Sequence, residues 1–241
     1  MQEGLGKGQP ESRRQSLLKP ESNRQSQLKS GKKNISYAKG ISMGASQYRG
    51  GDSESIDYTG RAFELMEILA EATALTTGAA ATALGCSRRT AGTAFNSLWW
   101  AGMARWVNVF AEIGQFKGQF RLWYPADVRP PKDAQEACRL AALGLFYALA
   151  KNEVPGFKWR VIRNGKHGVT AEMQFIVSDN ITQWVIDAPR REENPITDAD
   201  VYIFPTTHEG KTLTPVGKMY TADELLFTPG ELRRKIFQRT S

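Results

Sequence analysis

From Asp57 onward, apolar and polar residues recur first with a helical period and then with a period near two. RAFELMEILAEATAL sets Phe63, Met66, Ile68, Leu69 and Leu75 near helical spacing and leaves Glu64, Glu67 and Glu71 on the other side, which predicts a first amphipathic helix. Thr76 or Thr77 then caps a second, TGAAATALG, ending at Gly85, a residue suited to the left-handed turn after a helix. Ser87 is the expected cap of a third helix, whose inward stripe is Ala91, Ala94, Phe95 and Leu98 and which runs through Trp99 and Trp100 until Gly102.

Past Gly102 the pattern alternates. Trp106 to Phe110 and Gln119 to Tyr124 are predicted strands, with Gly114 and Gly118 around their connection, and the Pro-rich PADVRPPKD, 125–133, marks a boundary. DAQEACRLAALGLFYALAKNE, apolar around most of its circumference, predicts a helix buried in a core or between subunits. Strands are expected in FKWRVIRNG, GVTAEMQFIVSD, ITQWVIDA and ADVYIFPTT, then a short TADELL helix and a basic terminal helix in GELRRKIFQRT. The expected fold class is α+β in three parts: a tail at 1–55, a helix and hairpin unit at 56–126, and a small α+β domain at 132–241.

Residues 87–106 join that apolar stripe to a polar opening, Ser87, Arg88, Arg89 and Thr90. With the stripe facing inward, Arg89, Gly92, Thr93 and Asn96 fall on the opposite side. These are groove-reading chemistries: Arg can donate twice to guanine O6 and N7, Asn can pair with adenine N6 and N7, and Thr can meet a thymine methyl. Ser87 and the helix-start N–H groups suit a phosphate. Arg88, Arg89, Thr93 and Asn96 are expected to contact the major groove and Ser87 phosphate; Lys117 and Arg121 on the hairpin, and Arg105 near its start, complete the candidate DNA-binding set.

Ala81 and Gly85 in an A-x-x-x-G spacing, the polar start SRRT, and L-x-x-x-G at Leu98 to Gly102 resemble the winged helix-turn-helix superfamily of DNA-binding domains over about residues 60–125. The resemblance implies that the third helix enters the major groove of double-stranded DNA, that Ala81 lets two helices approach, and that the hairpin is a wing. A homodimer contact through Trp99 or Trp100, one indole packing inward and the other covering a neighbour, fits the same pattern.

Charge changes where this affinity would come from. The formal net charge is +7, yet residues 1–50 hold ten Lys and Arg against three Glu, so the excess belongs to the tail and 51–241 is balanced. Rich in Gly, Ser, Gln, Lys and Arg, residues 1–55 are expected to be disordered and to add salt-sensitive, sequence-independent affinity. Within them PESRRQSLLK and PESNRQSQLK repeat in tandem, a linker duplication, and Tyr37 and Tyr48 interleave with Lys39 and Arg49 in a way that suits a single nucleic-acid strand. The polar N-terminus and the lack of any long apolar run predict a cytoplasmic, nucleoid-associated protein with no membrane contact.

Catalytic templates are absent from the sequence: no G-x-G-x-x-G, Walker loop, nucleophile elbow or H-E-x-x-H. Cys86 and Cys138 have no paired spacing and are expected to be small buried apolar residues; His167 and His208 fall in apparent turns outside any metal-ligand spacing. No metal or cofactor is expected. A metal-dependent nuclease built on Asp187, Glu209 and Lys211 fits badly, because Glu209 follows Pro205 in an expected loop where such a core needs a strand. The leading expectation is a non-enzymatic, sequence-specific DNA-binding protein: a transcriptional regulator or a replication or transfer accessory factor of a plasmid or phage. The runner-up is an assembly factor whose folded part binds protein while the basic tail alone touches nucleic acid.

Overall fold

In chain order the elements are β1 (Lys39–Met43), α1 (Gly60–Ala72), β2 (Leu75–Thr76), α2 (Thr77–Ala83), α3 (Arg88–Trp100), β3 (Ala104–Ile113), β4 (Phe116–Pro125) and α4 (Ala134–Glu153). They continue with β5 (Lys158–Gly165), β6 (Gly168–Val177), β7 (Asn180–Asp187), β8 (Val201–Phe204), α5 (Thr207–Leu213), β9 (Met219–Ala222), α6 (Asp223–Leu226), a 3-10 turn (Leu232–Lys235) and β10 (Phe237–Gln238). This computed structural model describes residues 38–49, 60–113, 116–165 and 168–240. The fold is mixed α+β, with one sheet ordered β1-β3-β4-β2 and a second ordered β10-β9-β8-β7-β6-β5.

Local sequence explains the first three helices. α1 buries Ala62, Leu65, Ile68, Leu69 and Ala72, while Phe63 is exposed and Leu75 belongs to β2, so the buried face is turned about one residue from the expected stripe. Thr76 caps α2, its hydroxyl accepting from Ala79 N at 3.2 Å. Gly85 adopts φ +58, and Gly85 N and Cys86 N donate to Thr82 O and Ala81 O; these bonds satisfy carbonyls the helix end would otherwise leave open. α3 buries Ala91, Ala94, Phe95 and Leu98, the four residues its periodicity predicts, and stops at Gly102 with the same pair of bonds, to Trp99 O and Leu98 O.

β3 and β4 form one ladder, Ala104 opposite Pro125 through Glu112 opposite Lys117, longer at both ends than expected. Residues 38–49, within the tail expected to be disordered, are ordered. β1 pairs antiparallel with β3, and Gln47 bridges Trp106 further along. Ala38 is buried, Gly40 N donates to Gln135 Oε1 at 2.8 Å, and Lys39 pairs with Glu192 at 2.7 Å. A weakly apolar segment becomes a strand here because β3 would otherwise present an unpaired edge. Gly40 is required by the close approach, since a Cβ on it would stand 2.2 Å from the Ala134 carbonyl carbon. The tandem decapeptides and Tyr37 lie outside the described residues.

α4 changes the expected division at 125–133. Fifteen of its twenty residues are buried. It packs against α2, β1, β2 and β3 and also against β6, and a single apolar cluster runs from Ala62 to Leu232. The segments at 56–126 and 132–241 therefore share one core. Two arginines drawn into it are paired: Arg139 donates to Val169 O, to Asp187 and to Glu193 at 2.7 Å, and Arg190 meets Asp223 at 2.7 Å with both side chains fully buried. Removing one partner of such a pair strands a buried charge.

The second sheet mixes antiparallel β5-β6-β7 with parallel β7-β8-β9. α5 was not anticipated, because PTTHEGK looks like a loop: Thr206 and Glu209 form a reciprocal capping box, and Gly210 lies so close to the Tyr220 ring that a Cβ would stand 2.4 Å from it. The expected basic terminal helix is instead a 3-10 turn and β10, which pairs with β9 and sets Phe237 beside Tyr220. Few residues of that segment are apolar enough to hold a full helix against the core, whereas β9 offers a free edge.

Gly144 marks a tight approach of α4 to the chain just before β2: a Cβ there would stand 2.4 Å from Ala74 O. Gly144→Ala is expected to lower stability by about 1–3 kcal/mol through overpacking, read as a lower urea midpoint at unchanged slope; an unchanged midpoint would show that the two backbones do not need this approach.

Candidate nucleic-acid interface

The polar side of α3 is set by the burial of the other. Arg89, Thr93, Asn96 and Trp100 fall at i, i+4, i+7 and i+11, and all four are exposed. The Arg89 guanidinium has no ion-pair or hydrogen-bond partner among the described residues. Thr93 Oγ1 donates to Arg89 O at 3.1 Å, which leaves the methyl as its uncommitted group. Asn96 completes the row.

The helix start is more engaged than its sequence suggests. Ser87 Oγ accepts from Thr90 N at 3.1 Å and lies 2.9 Å from Thr90 Oγ1, so the two hydroxyls are joined at the cap. Arg88 folds back over α2: its Nε would be 3.5 Å from a Cβ built on Gly78. Arg88 thus borders the α2–α3 turn, while Arg89 occupies the row.

Residues opposite each other in an antiparallel ladder share a face. Trp106 with Trp123, Asn108 with Arg121, Phe110 with Gln119 and Glu112 with Lys117 therefore lie on one side of the β3–β4 hairpin. At its base that side is covered by the helices, with Phe95 stacked on Trp123 at 4.6 Å and Trp123 Nε1 donating to Thr77 Oγ1 at 3.2 Å. Its outer part is open: Phe110, Lys117, Gln119 and Arg121 are exposed. Arg121 lies over Trp106 at 3.9 Å, and partial burial lowers its pKa.

Arg105 sits apart from this set. It is opposite Tyr124 on the other side of the hairpin, its guanidinium lies 4.3 Å from the Tyr48 ring, and its Nε is buried without an acceptor among the described residues. The structure thus brings Arg89, Thr93 and Asn96 into one row, with Lys117 and Arg121 on a neighbouring face, and places Ser87, Arg88 and Thr90 at the helix start. Sequence reasoning missed Asn108, Phe110 and Gln119, although their alternation with the buried Val107 and Val109 was available as a signal. Tyr48 and Arg49, expected to be free for a single strand, instead pack on Arg105 and Trp100.

Several arginines elsewhere are engaged with acceptors. Arg163 donates to Glu136 at 2.9 Å and to Pro130 O, and Arg160 pairs with Glu172 at 2.8 Å. In a cleft of about 260 Å³ beside the start of α4, Arg129 and Arg163 both pair with Glu136 and Arg139 pairs with Glu193. Glu209 is committed to capping α5, and among the described residues no group of three His, Cys, Asp or Glu is placed to hold a metal ion. His167 lies outside the described residues, and His208 is exposed on α5. No helix among them is long and apolar enough to cross a membrane.

Comparison with protein-family models, with curated proteins and with solved structures finds no match for this chain.

The two cysteines differ in reach. Cys86 is half-exposed in the α2–α3 turn, contrary to the expectation of burial, whereas Cys138 is fully buried on α4 and desolvation pushes its thiol up to about 12. Titration with a thiol-specific disulfide reagent at pH 8 is expected to modify one thiol per chain in the native state and the second only in denaturant; two fast native thiols would contradict the packing of α4.

Proposed function

We propose that this protein binds double-stranded DNA in a sequence-specific way through a winged helix-turn-helix arrangement, in which α2 and α3 are the helix pair, α3 is the reading helix and β3–β4 is the wing. The observation that carries it is the exposed row Arg89, Thr93 and Asn96, with an unpaired guanidinium, beside an open hairpin face bearing Lys117 and Arg121. Arg89 and Asn96 offer two-pronged donors and acceptors to base edges, and the Thr93 methyl offers apolar contact to thymine. Ser87, Arg88 and Thr90 at the helix start lie where the duplex backbone would pass and fix register. Lys117 and Arg121 reach the backbone from the wing, and Arg105, behind the hairpin, has a lesser part. The role that follows is transcriptional regulation or an accessory function in replication or transfer, without catalysis.

One feature of the second sheet favours a protein partner as well. The β6–β7 hairpin tip exposes Ile176 by 70 %, Val177 by 49 % and Ile181 by 79 %, with Ile176 and Ile181 directly opposite each other. Apolar clusters of this kind on a protein surface mark contact sites.

Selection of bound sequences from a randomised duplex pool with the full chain is expected to enrich a defined site. On that site Arg89→Ala or Asn96→Ala should cost about 1–3 kcal/mol and relax preference at one position; equal losses on cognate and random duplex would remove α3 from the role of reader. Deleting residues 1–37, which leaves β1 intact, should weaken all duplexes alike and flatten the salt dependence. Loss of all duplex binding in that deletion would instead place nucleic-acid contact in the tail and make the folded part a protein-binding module.

A further inference from the structure

The exposed row of α3 does not end at Asn96. Its next member is Trp100, and onto that indole the N-terminal segment delivers Arg49, whose guanidinium carbon lies 3.3 Å from the ring centroid. Trp99 stands edge-on to Trp100 at 5.3 Å and also faces Arg49, at 5.9 Å. The placement follows from strand pairing. Gln47 N donates to Trp106 O at 2.8 Å, Ser46 Oγ lies 2.6 Å from the Tyr124 hydroxyl, and Tyr48 packs on Arg105, so the chain passes the foot of β3 in a fixed register and sets Arg49 over the end of α3.

A guanidinium laid on an aromatic ring uses one of its faces and keeps its in-plane N–H groups, the ones that grip phosphate oxygens. Arg49 is exposed and has neither a hydrogen-bond acceptor nor an acidic partner among the described residues. Arg89 and Arg121 share that unpaired state, while Arg160, Arg163 and Arg190 in the C-terminal half are paired with carboxylates. From Arg89 to Trp100 the helix rises about 16 Å. With the amino end of α3 in a groove, its carboxyl end stands at the bordering backbone.

We propose that Arg49 is a phosphate-binding residue of the duplex interface, held at the carboxyl end of α3 by Trp100 acting as a positioning residue. It extends the reading given under Proposed function and rests on it. Arg49 anchors the backbone and is indifferent to sequence.

The test uses the full chain, with Arg49→Ala, Arg49→Lys, Trp100→Leu and, for comparison, Asn96→Ala, each titrated against a selected duplex and a scrambled one across a salt series. Arg49→Ala is expected to weaken both duplexes by the same factor, about three- to tenfold, and to make the slope of log K against log salt shallower by about one. Arg49→Lys should keep the slope, and Trp100→Leu should weaken both duplexes while keeping it, since the charge remains and only its placement is lost. Tryptophan emission of the unbound protein should change in Arg49→Ala, because the stacked cation is gone. Unchanged affinity and slope in Arg49→Ala, with Asn96→Ala still altering preference, would overturn this assignment and leave the function standing. Absence of duplex binding by the parent chain would overturn both.

Discussion

Helix α4 is wrapped on nearly all sides, and a helix so placed has no face on which to leave a charge or a polar group unmatched. Its seating requires small residues at the tightest contacts, Gly144 against Ala74 O and Ala134 against Gly40. Its charged residues draw partners from distant parts of the chain: Glu136 from Arg129 and Arg163, Arg139 from Asp187 and Glu193. Tyr147 donates to Glu71, and burial together with that carboxylate raises its pKa. One helix thereby ties the first sheet to the second and fixes α2, and through it α3, relative to the rest.

That arrangement separates two populations of arginine. Those around the core work as structural cross-links, each matched to a carboxylate or carbonyl, as Arg190 is to Asp223 and Ile203 O. Four around α3 and the β3–β4 hairpin have no carboxylate partner among the described residues: Arg49 lies on Trp100, Arg105 on Tyr48 and Arg121 on Trp106, and the Arg89 guanidinium is exposed. Guanidiniums without an acidic partner add positive charge locally even where residues 51–241 balance overall. An aromatic platform also restrains each side chain in advance, which reduces the ordering cost of meeting a polyanion.

Much of α3 was legible beforehand. Its buried residues Ala91, Ala94, Phe95 and Leu98, its cap Ser87 and its stop at Gly102 follow from spacing within one helix, and the exposed residues Arg89, Thr93 and Asn96 follow by subtraction. The face of α1 was less legible, because Ala62 and Ala72 bury well without being strongly apolar, while Phe63 stays outside. The β3–β4 hairpin was visible in alternation, since neighbours in sequence face opposite ways; β6 and β7 were visible as strands, but not their pairing. β1, β10 and α5 were not, because two of them exist by completing an edge and the third by a capping box and a glycine seated on Tyr220.

The sequence by itself determined what depends on neighbours within a few residues: where helices start and stop, which side of α3 is apolar, and which strands alternate. Only the tertiary structure decided that a polar stretch at 39–43 is a strand, that α4 belongs to both halves, and that Arg49 meets Trp100. Hydrophobic period and capping act over three or four residues, so one chain displays them. Contacts between Gly40 and Ala134, or between Arg49 and Trp100, join residues some fifty to a hundred positions apart, and depend on which edges and cavities the rest of the fold leaves open.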